Sequence, residues 1–407
     1  MFTRCFNYLC KLVGSRDNNN NITNLTNLIN NKECIKLRAI DMTNKKKNSK
    51  KNLLKFKLAR KIMELRTNSN VPSDIKNQEE KSPHERFRDS KTLFVTDFSS
   101  FAWCELQQHY SLIAGGRKET LAMKNGSEIH KNLESQEHVI VQIPTYTRED
   151  SWGIKLYNLI FGIDSLFTNY KTRELPIFGF VSDLFVFGII DQVEMKPVFD
   201  DISGDELLII SDTNISRDEL IISDTKTRTK PYIPKKAPPS VKFQLMLYKK
   251  LFDELVQGTI DDEKIFQTLD LNPDLEFSNE LANIIKISCK ESEIKELNLR
   301  NLMKVVINRF RKVWKTSNVL EVNYKLQKDE SDLGSIYFDY NENQLENYLK
   351  KTIKYWKGDR KPEGVPIEDA WKCQNCDFAD NCEWRLNKIK ECEQKKRAFK
   401  EITNGQH

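Results

Sequence analysis

Residues 205–230 read DELLIISDTNISRDELIISDTKTRTK, nearly the same phrase twice. The first copy runs from Asp205 to Asn214 and the second from Asp218 to Lys226. Each has an acidic start, a run of Leu and Ile, and a Ser-Asp-Thr end. Unbroken apolar runs of this kind read as strands covered on both faces. The copies differ at their tips, with Asp212-Thr213-Asn214 in the first and Asp224-Thr225-Lys226 in the second. Residues two apart on a strand share a face, so Asp224 and Lys226 project together. Thr225 points the other way and leaves its backbone carbonyl available to a metal. Only the second copy sets an ammonium beside its acid, and it is read as the working strand. The first is read as a local expansion forming an extra hairpin or loop.

Upstream, IFGFVSDLFVFGIIDQVEM predicts two strands, with Asp191 near the end of the second. Two carboxylates at the tips of adjacent strands make a hard-oxygen site suited to Mg²⁺ or Mn²⁺. A lysine beside such a site can stabilise charge developing on a phosphate or orient an attacking water. An isolated Asp-x-Lys is more often a turn acid near a surface lysine. The weight lies in an ordered series: Gly126-x-x-x-His130, Gly188-x-x-Asp191, Asp224-x-Lys226 and Gln244-x-x-x-Tyr248.

That series resembles the RecB-like branch of the PD-(D/E)XK nucleases. The resemblance implies His130 as a metal ligand on an entering helix and Asp191 as the main metal-bridging acid. It implies Asp224 as a second ligand acid and Lys226 as the catalytic lysine. Gln244 and Tyr248, one helical turn apart and so on one face, would buttress the lysine and meet DNA. The bland alternatives are a solvent-facing or core histidine and a helix packing face.

Nine cysteines in a chain without a secretory signal argue against a disulfide framework. Cys5, Cys10, Cys34, Cys289 and Cys392 read as incidental thiols. Cys373-x-x-Cys376-x₅-Cys382 is one ligand short of a four-thiolate site. Cys104 or Cys392 could supply the fourth, and spacing alone permits zinc or iron–sulfur. Together, DFSSFAWCELQQHY, GSEIH, GIIDQVE, SDTKTR, QLMLYKKLFDEL and the cysteine triad resemble the exonuclease V family, also called defects in morphology protein 1. The resemblance spans roughly residues 92–390. It implies a single-strand-specific, Mg²⁺-dependent DNA exonuclease with a 4Fe-4S cluster on Cys104, Cys373, Cys376 and Cys382. Fungal members act in mitochondria and maintain mitochondrial DNA, so mitochondrial DNA maintenance is the expected role.

The rest of the 407-residue chain fits that frame. A net charge of +6 is too modest to demand a polyanion by itself, but residues 44–60 and 226–236 contain no acid. Such blocks are usually solvated, yet they also suit a phosphate backbone. Arg228, Lys230, Tyr232, Lys235 and Lys236 are therefore candidate contacts to single-stranded DNA, by charge and stacking. The first sixteen residues place a greasy and a basic side on one helix, as in a mitochondrial presequence, and an Asn-rich spacer follows. No run of eighteen apolar residues occurs, so no membrane span is expected.

The expected organisation is a leader and spacer over 1–35, a basic, partly disordered arm over 36–90, a nuclease domain over 91–395 and a tail over 396–407, acting as a monomer. Helices are expected after Asp97 or Ser99, from about Gly126, from Ser240, and over NLRNLMKVVINRFRKVWKTS and ENQLENYLKKTIKYWKG, with a strand near 320–327. The fold class is α/β. The resemblance makes it a PD-(D/E)XK restriction-endonuclease-like core, with a central mixed sheet flanked by helices, helical additions and a cluster joining its two ends. The rival reading is a non-catalytic nucleic-acid-binding protein with structural zinc; it requires the Asp-x-Lys series to be accidental.

Overall fold

The computed structural model describes residues 35–42, 81–88, 90–199, 216–288 and 296–404. The leader, most of the basic arm and the first copy of the repeated strand lie outside these residues.

In chain order the elements are β1 (Ile35–Asp41), α1 (Pro83–Phe87), β2 (Leu93–Phe94), α2 (Val95–Ser99), α3 (Glu105–Ala114) and α4 (Leu121–Glu137). Next come β3 (Val139–Thr145), α5 (Arg148–Asn169), β4 (Lys171–Val181), β5 (Leu184–Phe199) and β6 (Ser216–Arg228). Helices α6 (Pro239–Gln257), α7 (Asp262–Leu269), α8 (Asn279–Ser288) and α9 (Leu299–Phe310) precede β7 (Thr316–Leu326) and β8 (Asp332–Asp339). Helices α10 (Glu342–Lys357) and α11 (Glu383–Asn404) close the chain, with two 3₁₀ segments between them. No helix among the described residues is long and apolar enough to cross a membrane.

Two compact units emerge. Of the described residues, the first holds those within 1–45, 120–237 and 245–341; the second holds those within 46–119, 238–244 and 342–407. In the first unit a mixed sheet runs β4-β5-β6-β7-β8, antiparallel except for the parallel β6–β7 pair. A parallel pair needs a long crossover, and here the chain from α6 to α9 supplies it. The second copy of the repeat is β6, and its Leu220, Ile221 and Ile222 are all buried, as the unbroken apolar run requires. On β4 and β5, Phe178, Phe185 and Phe187 meet Trp152 of α5 with ring centroids 5.7–6.1 Å apart.

Several boundaries differ from the sequence reading. Strand β1, placed at the start of the arm, pairs in parallel with β3. Asp97 sits inside α2 rather than capping it, and its carboxylate accepts the Phe94 N–H at 2.9 Å. The helix expected from Gly126 begins at Leu121 behind the Thr120 cap. Ser240 lies within α6, where the Pro238 carbonyl accepts the first helical N–H groups.

The second unit is helical. Phe101 packs on Tyr355 and Trp356 of α10, with centroids 4.6 and 6.1 Å away. Leu106, Tyr110 and Ala114 recur every fourth residue along α3 and bury one stripe of it. Gly115 ends α3 in the left-handed conformation, φ 79°.

Candidate active site

The site lies where β4, β5 and β6 run side by side. Gln192 is paired with Ser223 and Arg173 with Gln192. One further step in each register sets Glu174, Asp191 and Asp224 in a row across the three strands. Three acids on adjacent strands repel, and the surroundings answer that charge. Lys226 Nζ lies 2.7 Å from Asp224 Oδ2. The Thr225 N–H donates to Asp191 Oδ2 at 2.9 Å. His130 Nδ1, from α4, lies 3.7 Å from Asp191 Oδ2 and 3.8 Å from Glu174 Oε1.

Gly126 explains how His130 reaches that far. A Cβ on Gly126 would stand 2.9 Å from Thr227 Oγ1, so the missing side chain lets α4 press against β6. His130, one turn further along the same face, then hangs over the acids. The Gly-x-x-x-His spacing thus has a packing cause.

The electrostatics are those of a site short of positive charge. Burial pushes the Asp224 carboxyl up to about 6, with Asp191 adding to the rise and Lys226 opposing it. Burial also raises Asp191, against the pull of His130 and Lys226. The nearby Glu174 carboxylate, with Asp191 beside it, holds His130 above its ordinary range despite burial. For Lys226, burial works downward, but Asp224 and Asp191 outweigh it and hold the ammonium above the usual lysine value. Asp224 is 1% exposed, and its Oδ1 accepts no hydrogen bond among the described residues. A buried carboxylate oxygen without a donor is costly unless a cation meets it.

These residues fit a hard divalent ion. Among the described residues, His130, Glu174 and Asp191 form the one set of three donor atoms mutually within 4.8 Å. Glu174 had escaped the sequence reading. It belongs to no motif, and the signal that finds it is conformational: φ 49° within a strand. A left-handed Glu there is strained, and such strain gathers at functional sites. Tyr324, beside Lys226 on the parallel strand β7, is also new; its ring lies 5.3 Å from the Arg228 guanidinium.

The remaining candidates are placed as follows. Gln244 and Tyr248 lie a turn apart on α6, the first half-buried and the second buried. In the basic loop Lys230, Tyr232, Lys235 and Lys236 are exposed, whereas Arg228 is half-buried against Tyr324.

The second unit holds the thiols. Cys104, Cys373, Cys376 and Cys382 line one cavity with Trp103, Tyr110 and Trp384. Glu105 sets the first cysteine's position, taking both Arg360 Nη1 (2.6 Å) and Nη2 (3.0 Å) and the Glu363 N–H (2.9 Å). Gly364 lets Trp384 cover the cavity, since a Cβ there would fall 2.1 Å from the indole. Burial raises the thiols of Cys104, Cys373 and Cys382, and each also feels another cysteine of the set. Gln107 Nε2 donates to Cys376 Sγ at 3.5 Å. Cys392, the other candidate for fourth ligand, is exposed and absent from the cavity. Four thiols around an apolar cavity fit a soft metal group.

With this geometry in view, the sequence matches the family profile described as Exonuclease V - a 5′ deoxyribonuclease over residues 82–385. The chain belongs to the exonuclease V family. Exonuclease V of Danio rerio is 30% identical over 314 residues, which cover 76% of this chain and 74% of the relative. Two fungal relatives match over shorter spans. "Exonuclease V, mitochondrial" of Debaryomyces hansenii is 31% identical over 67 residues, 16% of this chain and 10% of that protein. Its namesake in Candida albicans (strain WO-1) is 29% identical over 79 residues, 19% of this chain and 13% of the relative. Membership of exonuclease V makes this chain a metal-dependent deoxyribonuclease that hydrolyses phosphodiester bonds, in a family of 5′ enzymes.

Proposed function

We propose that this member of the family degrades single-stranded DNA with Mg²⁺, or Mn²⁺, at the row of carboxylates on β4, β5 and β6. His130, Glu174, Asp191 and Asp224 would hold the ion, with the Thr225 carbonyl as a further oxygen. When bound, the ion supplies positive charge against the scissile phosphate and acidifies water. Lys226, fixed on Asp224, presents its ammonium to the attacking water or to charge on the phosphate. Gln244 and Tyr248 would steady that end of the site. Lys230, Tyr232, Lys235 and Lys236 would follow the strand by charge and stacking. One observation carries the reading: a buried, donor-less carboxylate oxygen on Asp224, beside an acid pair and a single lysine.

We further infer a 4Fe-4S cluster on Cys104, Cys373, Cys376 and Cys382. The sulfurs are spread more widely than the donors of the acidic site. One zinc ion with bonds of about 2.3 Å would draw its sulfurs to within roughly 4 Å of each other. A multi-iron cluster, whose thiolate ligands sit on different irons, suits the wider spacing. Action in mitochondria, on mitochondrial DNA, is proposed from the presequence-like first residues and the names of the fungal relatives.

The test uses anaerobically purified protein and end-labelled single and double strands. Cleavage of the single strand with Mg²⁺, none with chelator, and none by Lys226→Ala that still binds DNA is the expected result. A fully active Lys226→Ala would remove the lysine from the chemistry.

A further inference from the structure

Strand β1 lies ahead of the span that matches the family profile, and no residue of it belongs to the acidic row. It is nevertheless firmly held. Ile35 and Leu37 are each 2% exposed, and the whole strand pairs with β3. Asn158 of α5 accepts the Leu37 N–H and donates to the Leu37 carbonyl, both at 2.8 Å, as a further strand would. With Ile35 and Leu37 on the buried face, alternation turns Lys36 and Arg38 together to the other. Both meet Glu134 of α4, Lys36 Nζ at 3.1 Å from Oε1 and Arg38 Nη2 on Oε2. Glu134 is 5% exposed, and an acid so buried needs such cations. It sits one helical turn beyond His130, on the same face of α4.

Lys36 also reaches the acidic row itself. Its ammonium donates to the Glu174 backbone carbonyl at 2.7 Å. That carbonyl belongs to the left-handed residue of β4, φ 49°. The β4–β5 ladder pairs Arg173 with Gln192 and Leu175 with Ile190, and leaves Glu174 out. A strained residue outside its ladder persists only where its surroundings over-determine it. Lys36 is one such determinant, and Glu134 fixes the ammonium in turn. One side chain thus joins the strand of Glu174 to the helix of His130, whose donor atoms lie 3.8 Å apart.

We propose that Lys36 is a positioning residue for the metal site: by holding the Glu174 carbonyl and the Glu134 carboxylate together, it sets Glu174 against His130. Groups that orient a metal's ligands commonly change affinity about ten- to a hundredfold when removed. The proposal rests on the acidic row being a divalent-ion site.

The test uses the full chain. It reads Mn²⁺ affinity by electron paramagnetic resonance, melting temperature, and binding of a single-stranded oligonucleotide without divalent ion. Lys36→Met keeps the apolar stem and removes the ammonium. It should weaken Mn²⁺ binding about tenfold and raise the Mg²⁺ needed for half-maximal cleavage by the same factor. Metal-free DNA binding should not change. Losing a positive charge near the site would by itself tighten Mn²⁺ binding, so a weaker affinity reports geometry. Lys36→Met also leaves Glu134 with one cation and should melt lower. Adding Glu134→Gln removes the surplus charge, so the melting temperature should recover while Mn²⁺ affinity stays low. Arg38→Met spares the carbonyl bond and should keep wild-type Mn²⁺ affinity. Wild-type affinity in Lys36→Met, an equal loss in Arg38→Met, or affinity that recovers together with stability in the double variant would overturn the proposal. A wild type that binds no Mn²⁺ would overturn the acidic metal site, and with it the role given to Lys36.

Discussion

At the scale of single residues, the site is a balance between burial and charge. Raised carboxyls mean that the folded state holds protons more tightly than the unfolded chain. For Asp224 the ordinary value is 3.8 and the folded one about 6. Its contribution to stability is therefore full below pH 3.8 and is lost as pH climbs through about 6. Activity runs the opposite way, since a metal site needs ionised acids and a neutral imidazole. We expect kcat/KM to fall on an acid limb near pH 6 at low Mg²⁺, and that limb to move to lower pH as Mg²⁺ is raised, because the ion competes with protons. Rate profiles at two Mg²⁺ concentrations check this; a limb that stays put would separate the carboxyls from metal binding. Asp191, Asp224 and Lys226 were legible in the sequence because alternation and strand ends obey simple geometry. Glu174 was not, because its place depends on a left-handed backbone angle that no pattern of residue types encodes.

At the scale of elements, the contact between α4 and β6 decides whether His130 reaches the acids. Gly126→Ala should leave stability almost unchanged, as better helix propensity, worth about 1 kcal/mol, offsets crowding at Thr227. It should nevertheless cut activity roughly ten- to a hundredfold by lifting His130 off its partners. Adding Thr227→Ala removes the atom 2.9 Å from the new Cβ and should restore most of the loss. A double variant no better than the single one would mean that the glycine serves helix flexibility instead. Sequence reading located most helices and the β4–β5 hairpin but passed over α5. That helix buries Trp152, Ile154, Leu156, Tyr157, Leu159, Ile160, Ile163 and Leu166, which cover most of its circumference. It therefore lacks the polar stripe by which a helix announces its period, and its aromatic and β-branched residues look like strand. Strand β8 was missed for another reason. It pairs along one edge with β7, and Asp332-Leu333-Gly334-Ser335 gives no apolar alternation at its start.

At the scale of the whole molecule, one cavity gathers cysteines from chain segments that sequence keeps far apart. Roughly 270 residues, including every residue of the acidic site, lie between Cys104 and Cys373. Closing a loop of that length costs on the order of 5 kcal/mol in chain entropy by the logarithmic estimate. Much of that cost disappears when a bound group holds both ends in advance. Glu105, Arg360 and the Trp384 lid supply only partly exposed contacts around the same point, which are worth far less than a covalent staple. Cys104→Ser should therefore lose the absorbance near 400 nm expected of an iron–sulfur centre. It should also become sensitive to protease across residues 342–407 and lose nuclease activity, although no residue of the acidic site has been altered. Cys392→Ser, outside the cavity, should keep colour, protease resistance and activity. Absorbance spectra, limited proteolysis and single-strand cleavage on the two variants check the claim together. A Cys104→Ser protein that stays compact and active would show that the ends of the fold hold without the staple.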